Sequence, residues 1–139
     1  MTLIKNHNLL RFIVIILLWN VIFRISLSSI LENEHWNLVF LPPVIFFFVM
    51  YFTGRYFGLK QWKDLPINYS FQYHVATFSV FFIVSYGFYF NNLLSKHEPR
   101  AILDYTLLFW GLGLIVHYIK YRQCSKSSIK GISRDQIFD

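Results

Sequence analysis

The chain has 139 residues, of which 55% are hydrophobic and 14% charged, with 16 Phe and 9 Tyr lifting the aromatic share to 21%. Soluble domains carry roughly 25% charged residues, so this composition, with a mean hydropathy of +0.43, excludes a disordered chain and an ordinary soluble enzyme. One Cys excludes a disulfide framework, and the remaining class is an integral membrane protein.

Four apolar runs follow in chain order: 9–30, 38–59, 69–90 and 101–122, each of 22 residues. As a helix such a run is about 33 Å long, enough for a hydrocarbon core of about 30 Å. The connections between them are short, so neighbouring spans are expected to be antiparallel. Residues 1–122 thus read as a four-helix transmembrane domain and 123–139 as a basic tail. The first run could instead be a signal peptide with Ser26-Leu27-Ser28 as a cleavage pattern, but it exceeds the usual 7–15 apolar residues and Arg24 interrupts its end. A retained span is the reading adopted.

Of the 13 basic residues, ten flank one set of span ends: Lys5, Arg11, Arg55, Lys60, Lys63, Lys120, Arg122, Lys126, Lys130 and Arg134. The opposite side has Lys96 and Arg100, together with Glu32, Glu34, Glu98 and Asp104, and Arg24 lies within a span. Basic residues accumulate on the cytoplasmic side, so both termini are expected there, in a multi-pass protein of a bacterial inner membrane. This rule also explains the net charge of +6 without nucleic acid. The tail run would attract anionic lipid headgroups, and Cys124 at its root reads as a reduced thiol.

Ionisable residues inside a membrane need partners. Arg24 lies in the first span and Asp104 is the carboxylate inside the fourth. The two are expected to pair, or meet through water, with Asn20 one turn from Arg24 bonding a neighbouring helix. His74 and His117 are each five residues from the cytoplasmic ends of the third and fourth spans, which puts them at one level. Such a pair suits haem or metal ligation, or hydrogen bonding between helices. Gly54 and Gly58 form a small-xxx-small face, and Trp110, Gly113 and His117 share a stripe, with Gly113 allowing close helix approach. Pro42-Pro43 opens the second span, where missing N–H groups matter least. No phosphate loop, dinucleotide fingerprint, nucleophile elbow or zinc-spacing motif occurs.

Phe71 and His74, an Asn at position 92, and the run Trp110-Gly111-x-Gly113-Leu114-x-x-His117 resemble the two-transmembrane (2TM) domain family of bacterial membrane proteins, typical of Bacteroidetes, over about residues 71–122. Asp104-Tyr105 stands where that family usually has a Trp and a Pro, and two spans precede the region of resemblance. The resemblance implies a sensory or anchoring module, since such domains are often joined to LytTR-type histidine kinases or DNA-binding domains.

The expected function is therefore a non-enzymatic accessory, sensory or anchoring subunit, without cofactor, acting by helix association in a homo-oligomer or with a partner membrane protein. In it Gly54, Gly58, Trp110, Gly111 and Gly113 would be packing points, and Arg24, Asp104 and Asn20 an internal lock. The alternatives are a redox protein holding haem b or a metal on His74 and His117, and a pore, transport or toxin/immunity-type membrane protein.

Overall fold

A computed structural model describes the backbone of residues 2–62 and 68–130, and the side chains of 7–57 and 71–123. The described residues form helices joined by short connections, without strands: α1 (Thr2–Glu32), α2 (Leu41–Trp62), α3 (Asn68–Phe90) and α4 (Arg100–Lys130), with a single 3₁₀ turn at Trp36–Leu38. Each α-helix contains a segment long and apolar enough to cross a membrane. α1 starts before the first apolar run, and α4 continues through the first eight residues of the basic tail. The helix end therefore does not coincide with the apolar boundary. Ala-free polar runs such as Gln123–Lys130 can remain helical because no Gly or Pro interrupts them before Gly131.

α1 and α3 end in the same way. Glu34 and Asn92 take left-handed backbone conformations, with φ of 57° and 54°. His35 N–H reaches Ile30 O at 3.0 Å and Leu93 N–H reaches Phe88 O at 2.9 Å, while Glu34 and Asn92 donate to Leu31 and Tyr89. These are Schellman closures, which satisfy carbonyls that a helix end leaves unpaired. Asn33 and Asn91, one residue earlier, each donate a side-chain amide to the carbonyl four residues back, at 2.7 Å. Asn92, one of the residues that carry the family resemblance, is thus the left-handed residue of the α3 closure. Asn tolerates that conformation, while Glu34 reaches it at a conformational cost.

Packing runs in the order α2–α1–α3–α4: α1 touches α2 and α3, and α4 rests on α3. Near one end, Phe12 of α1 meets Phe57 of α2 and Tyr73 of α3 edge-on, at 5.4 and 4.6 Å. Ile16 and Val80 complete this core. Further along, Phe23 of α1 packs on Phe46 and Phe81, and Trp110 of α4 packs on Phe78, Phe81 and Phe82 at 5.0–6.0 Å. In lipid, such interlocking supplies association through van der Waals contact rather than loss of water. The outer faces of α2 and α4 remain uncovered, with Phe47, Phe52, Phe109 and Ile115 among their exposed side chains.

Candidate functional site

The buried polar residues gather where α1, α3 and the α3–α4 connection meet. Asn20, Arg24 and Ser28 lie four residues apart on α1, hence on one stripe, and this stripe faces α3. Arg24 is 3% exposed and Glu98 8%. The Arg24 guanidinium donates through Nε to Ser85 Oγ at 2.9 Å and through Nη1 to Glu98 Oε1. Ser85 points its own hydroxyl hydrogen at Phe81 O, 2.7 Å away, which leaves its lone pairs for the arginine. The guanidinium also lies 5.4 Å from the Phe23 ring centre and 5.2 Å from that of Phe81, an arrangement that favours a cation removed from water.

Arg24 thus finds Glu98, not Asp104. Asp104 is directed elsewhere on the α3–α4 hairpin: it accepts from Tyr86 Oη at 2.6 Å and pairs with Arg100 at 3.3 Å. The reason is packing order. α4 rests on α3, with α3 standing between it and most of α1, while the connection carrying Glu98 folds back across α1. Asn20 also departs from expectation, since its amide donates to Ile16 O within α1 at 2.8 Å rather than to a neighbouring helix. Glu98 carried no signal within a span, because it lies outside the apolar runs. Ser85 resembled any small helix-interface residue.

Above this centre the two connections on the same side are tied together. Ser95 Oγ donates to Glu32 Oε2 at 2.8 Å and the Lys96 backbone N–H reaches the same oxygen at 3.3 Å. Lys96 Nζ stands 3.8 Å from Glu32 Oε1, and His97 Nε2 3.7 Å from Glu34 Oε1. The His97 ring also meets Trp36 edge-on at 5.3 Å.

At the opposite end of the α3–α4 hairpin His74 and His117 do stand together, with ring centres 4.6 Å apart and planes at 64°. Both are exposed, and Phe71 stacks on His117 and on Tyr121. A haem held from both faces separates its two imidazole centres by about 6 Å, given metal–nitrogen bonds of about 2 Å. The observed spacing does not fit a haem between them. One metal ion bound at adjacent positions brings the centres to about 4.5–5.2 Å, which does fit. Among the described residues no group of three or more His, Cys, Asp or Glu completes such a site.

Of the expected packing points, Trp110 is the anchor of α4 on α3. Gly111 faces Phe78, with a built Cβ 3.9 Å from its ring, while Gly54 and Gly113 have open space where a Cβ would stand. No described helix therefore packs on Gly113, and α3 meets His117 through His74 and Phe71 instead. Gly58 lies outside the residues whose side chains are described.

These features define a helical membrane-type protein whose polar centre ties three of its segments together. No protein-family model, curated protein or solved structure matches the chain.

Proposed function

We propose that the chain is a non-enzymatic accessory, sensory or anchoring subunit of a bacterial inner membrane, working by helix association as a homo-oligomer or with a partner membrane protein. Its spans run antiparallel with both termini cytoplasmic. The supporting observation is the division of labour between helices. The α1–α3 pair and the connection after α3 hold the buried ion pair, while α2 and α4 lean on the helix pair from either side and leave apolar faces uncovered. Gly54 and Gly113 lie on α2 and α4 with no described residue within 4 Å of an added Cβ, which is the surface a second helix can approach closely. The ion-pair distribution fits the topology: the end with Lys96 and Arg100 also holds Glu32, Glu34 and Glu98, and the resemblance of residues 71–122 to the 2TM family falls on α3 and α4. Chemical crosslinking in native membranes followed by mass analysis tests the reading. A discrete complex supports it, and a chain that stays monomeric and captures no membrane partner refutes it.

A metal-binding membrane protein is the second reading, favoured by the 4.6 Å between His74 and His117. Titration with nickel or zinc ions should show one site per chain that His117→Ala removes; absence of such a site dismisses it.

A further inference from the structure

Among the described residues the six buried polar ones, Asn20, Arg24, Ser28, Ser85, Ser95 and Glu98, belong to one seam between α1, α3 and the α3–α4 connection. Three of their atoms have no hydrogen-bond partner among the described residues: Asn20 Oδ1, Ser28 Oγ and Glu98 Oε2. A buried polar atom without a partner is costly, and the usual remedy is an ordered water. The three atoms flank Arg24: Asn20 and Ser28 sit one turn on either side of it along α1, and Glu98 is its ion partner. The unpaired oxygens of Asn20 and Glu98 are acceptors and disfavour an anion, and the adjacent guanidinium disfavours a cation. The occupant that fits is neutral, small and able to donate two hydrogen bonds.

We propose that this seam is a hydrated half-path, in which water enters beside Glu98 and extends along α1 as far as Asn20. Asn20 stands 12 residues before Glu32, so about 18 Å along the helix axis, which is mid-depth for a hydrocarbon core of about 30 Å. Beyond Asn20 the path is blind. Ile16 is 0% exposed and Phe12 3%, and the rings of Phe57 and Tyr73 close on Phe12 from α2 and α3. Water and the protons it carries thus reach mid-membrane from one side.

Hydroxyl-radical footprinting of the intact protein in nanodiscs, in ¹⁸O-labelled water, tests the proposal without any substitution. Phe81, buried against Arg24, should acquire ¹⁸O label promptly after dilution into labelled water, while Phe12, buried within the plug, should not. Phe81 as unlabelled as Phe12 overturns it, as does label that arrives only as ¹⁶O from trapped water. A thermal series supplies an independent arm. In a dry seam Asn20→Leu removes an unpaired oxygen and raises the unfolding midpoint. In a hydrated seam it strips water of a partner and lowers it, and the loss is smaller in a Ser28→Ala background because the two share a water network. A midpoint unchanged or raised by Asn20→Leu is the contrary result.

Discussion

Arg24 sits in a buried position that only a complete set of partners makes tolerable, and its partners come from three places: Ser85 on α3, Glu98 on a connection, and the rings of Phe23 and Phe81. Removing one member of a buried ion pair leaves the other uncompensated and costs about 3–5 kcal/mol, while replacing both by apolar groups costs less. Glu98→Met and Arg24→Met should each lower the unfolding midpoint strongly in detergent, and the double variant should recover part of the loss. Asp104→Asn should leave the midpoint nearly unchanged, because Asp104 is exposed and pairs at the surface of the α3–α4 hairpin. The same unfolding series distinguishes the two carboxylates. That Arg24 needed an acid was legible in the sequence, since a lone guanidinium in hydrocarbon is costly. Which acid was not, because the choice is set by how the 91–99 connection folds back over α1, a tertiary fact with no local signature.

Helices were easier to read than their neighbours. Length and apolarity identify each one, but a helix in lipid is apolar on its outer as well as its inner face, so the periodicity that marks a buried stripe in water largely vanishes. The row α2–α1–α3–α4 was therefore not deducible from pattern. Trp110 illustrates what was: a large ring beside glycines on α4 implied a packing point, and it meets three phenylalanines of α3. Trp110→Ala should cost about 3 kcal/mol and loosen α4 selectively, seen as faster hydrogen exchange at 101–122 than in α1. Gly54→Leu and Gly113→Leu should behave differently. With open space at both positions, the fold should keep its unfolding midpoint while the crosslinked complex declines, each measured on the same preparation.

Across the whole molecule, the helix pair at the centre is α1 with α3, segments that are not consecutive in the chain, and the two connections at one end are knotted by Glu32, Ser95 and Lys96. Glu32→Gln should weaken that clasp without unfolding the spans, raising hydrogen exchange of the 93–97 amides while α3 stays protected. Reporter fusions at residues 36 and 97 should lie on the side opposite to one placed after residue 130. Reporters on a common side would refute the antiparallel arrangement.

The distance between Arg24 and Glu98 along the chain is 74 residues, and it has a consequence for biosynthesis. At about 5–20 residues per second, the ribosome makes Glu98 several seconds after α1 has begun to leave the tunnel. During that interval the guanidinium has neither its carboxylate nor Ser85. The nascent α1 must therefore wait at the insertion machinery, or at the lipid interface with Arg24 reaching for phosphates, until α3 and the following turn arrive. Committed insertion of the first helix is thereby postponed to the second half of translation, and a ribosome stalled before residue 98 should leave α1 extractable from the membrane at alkaline pH.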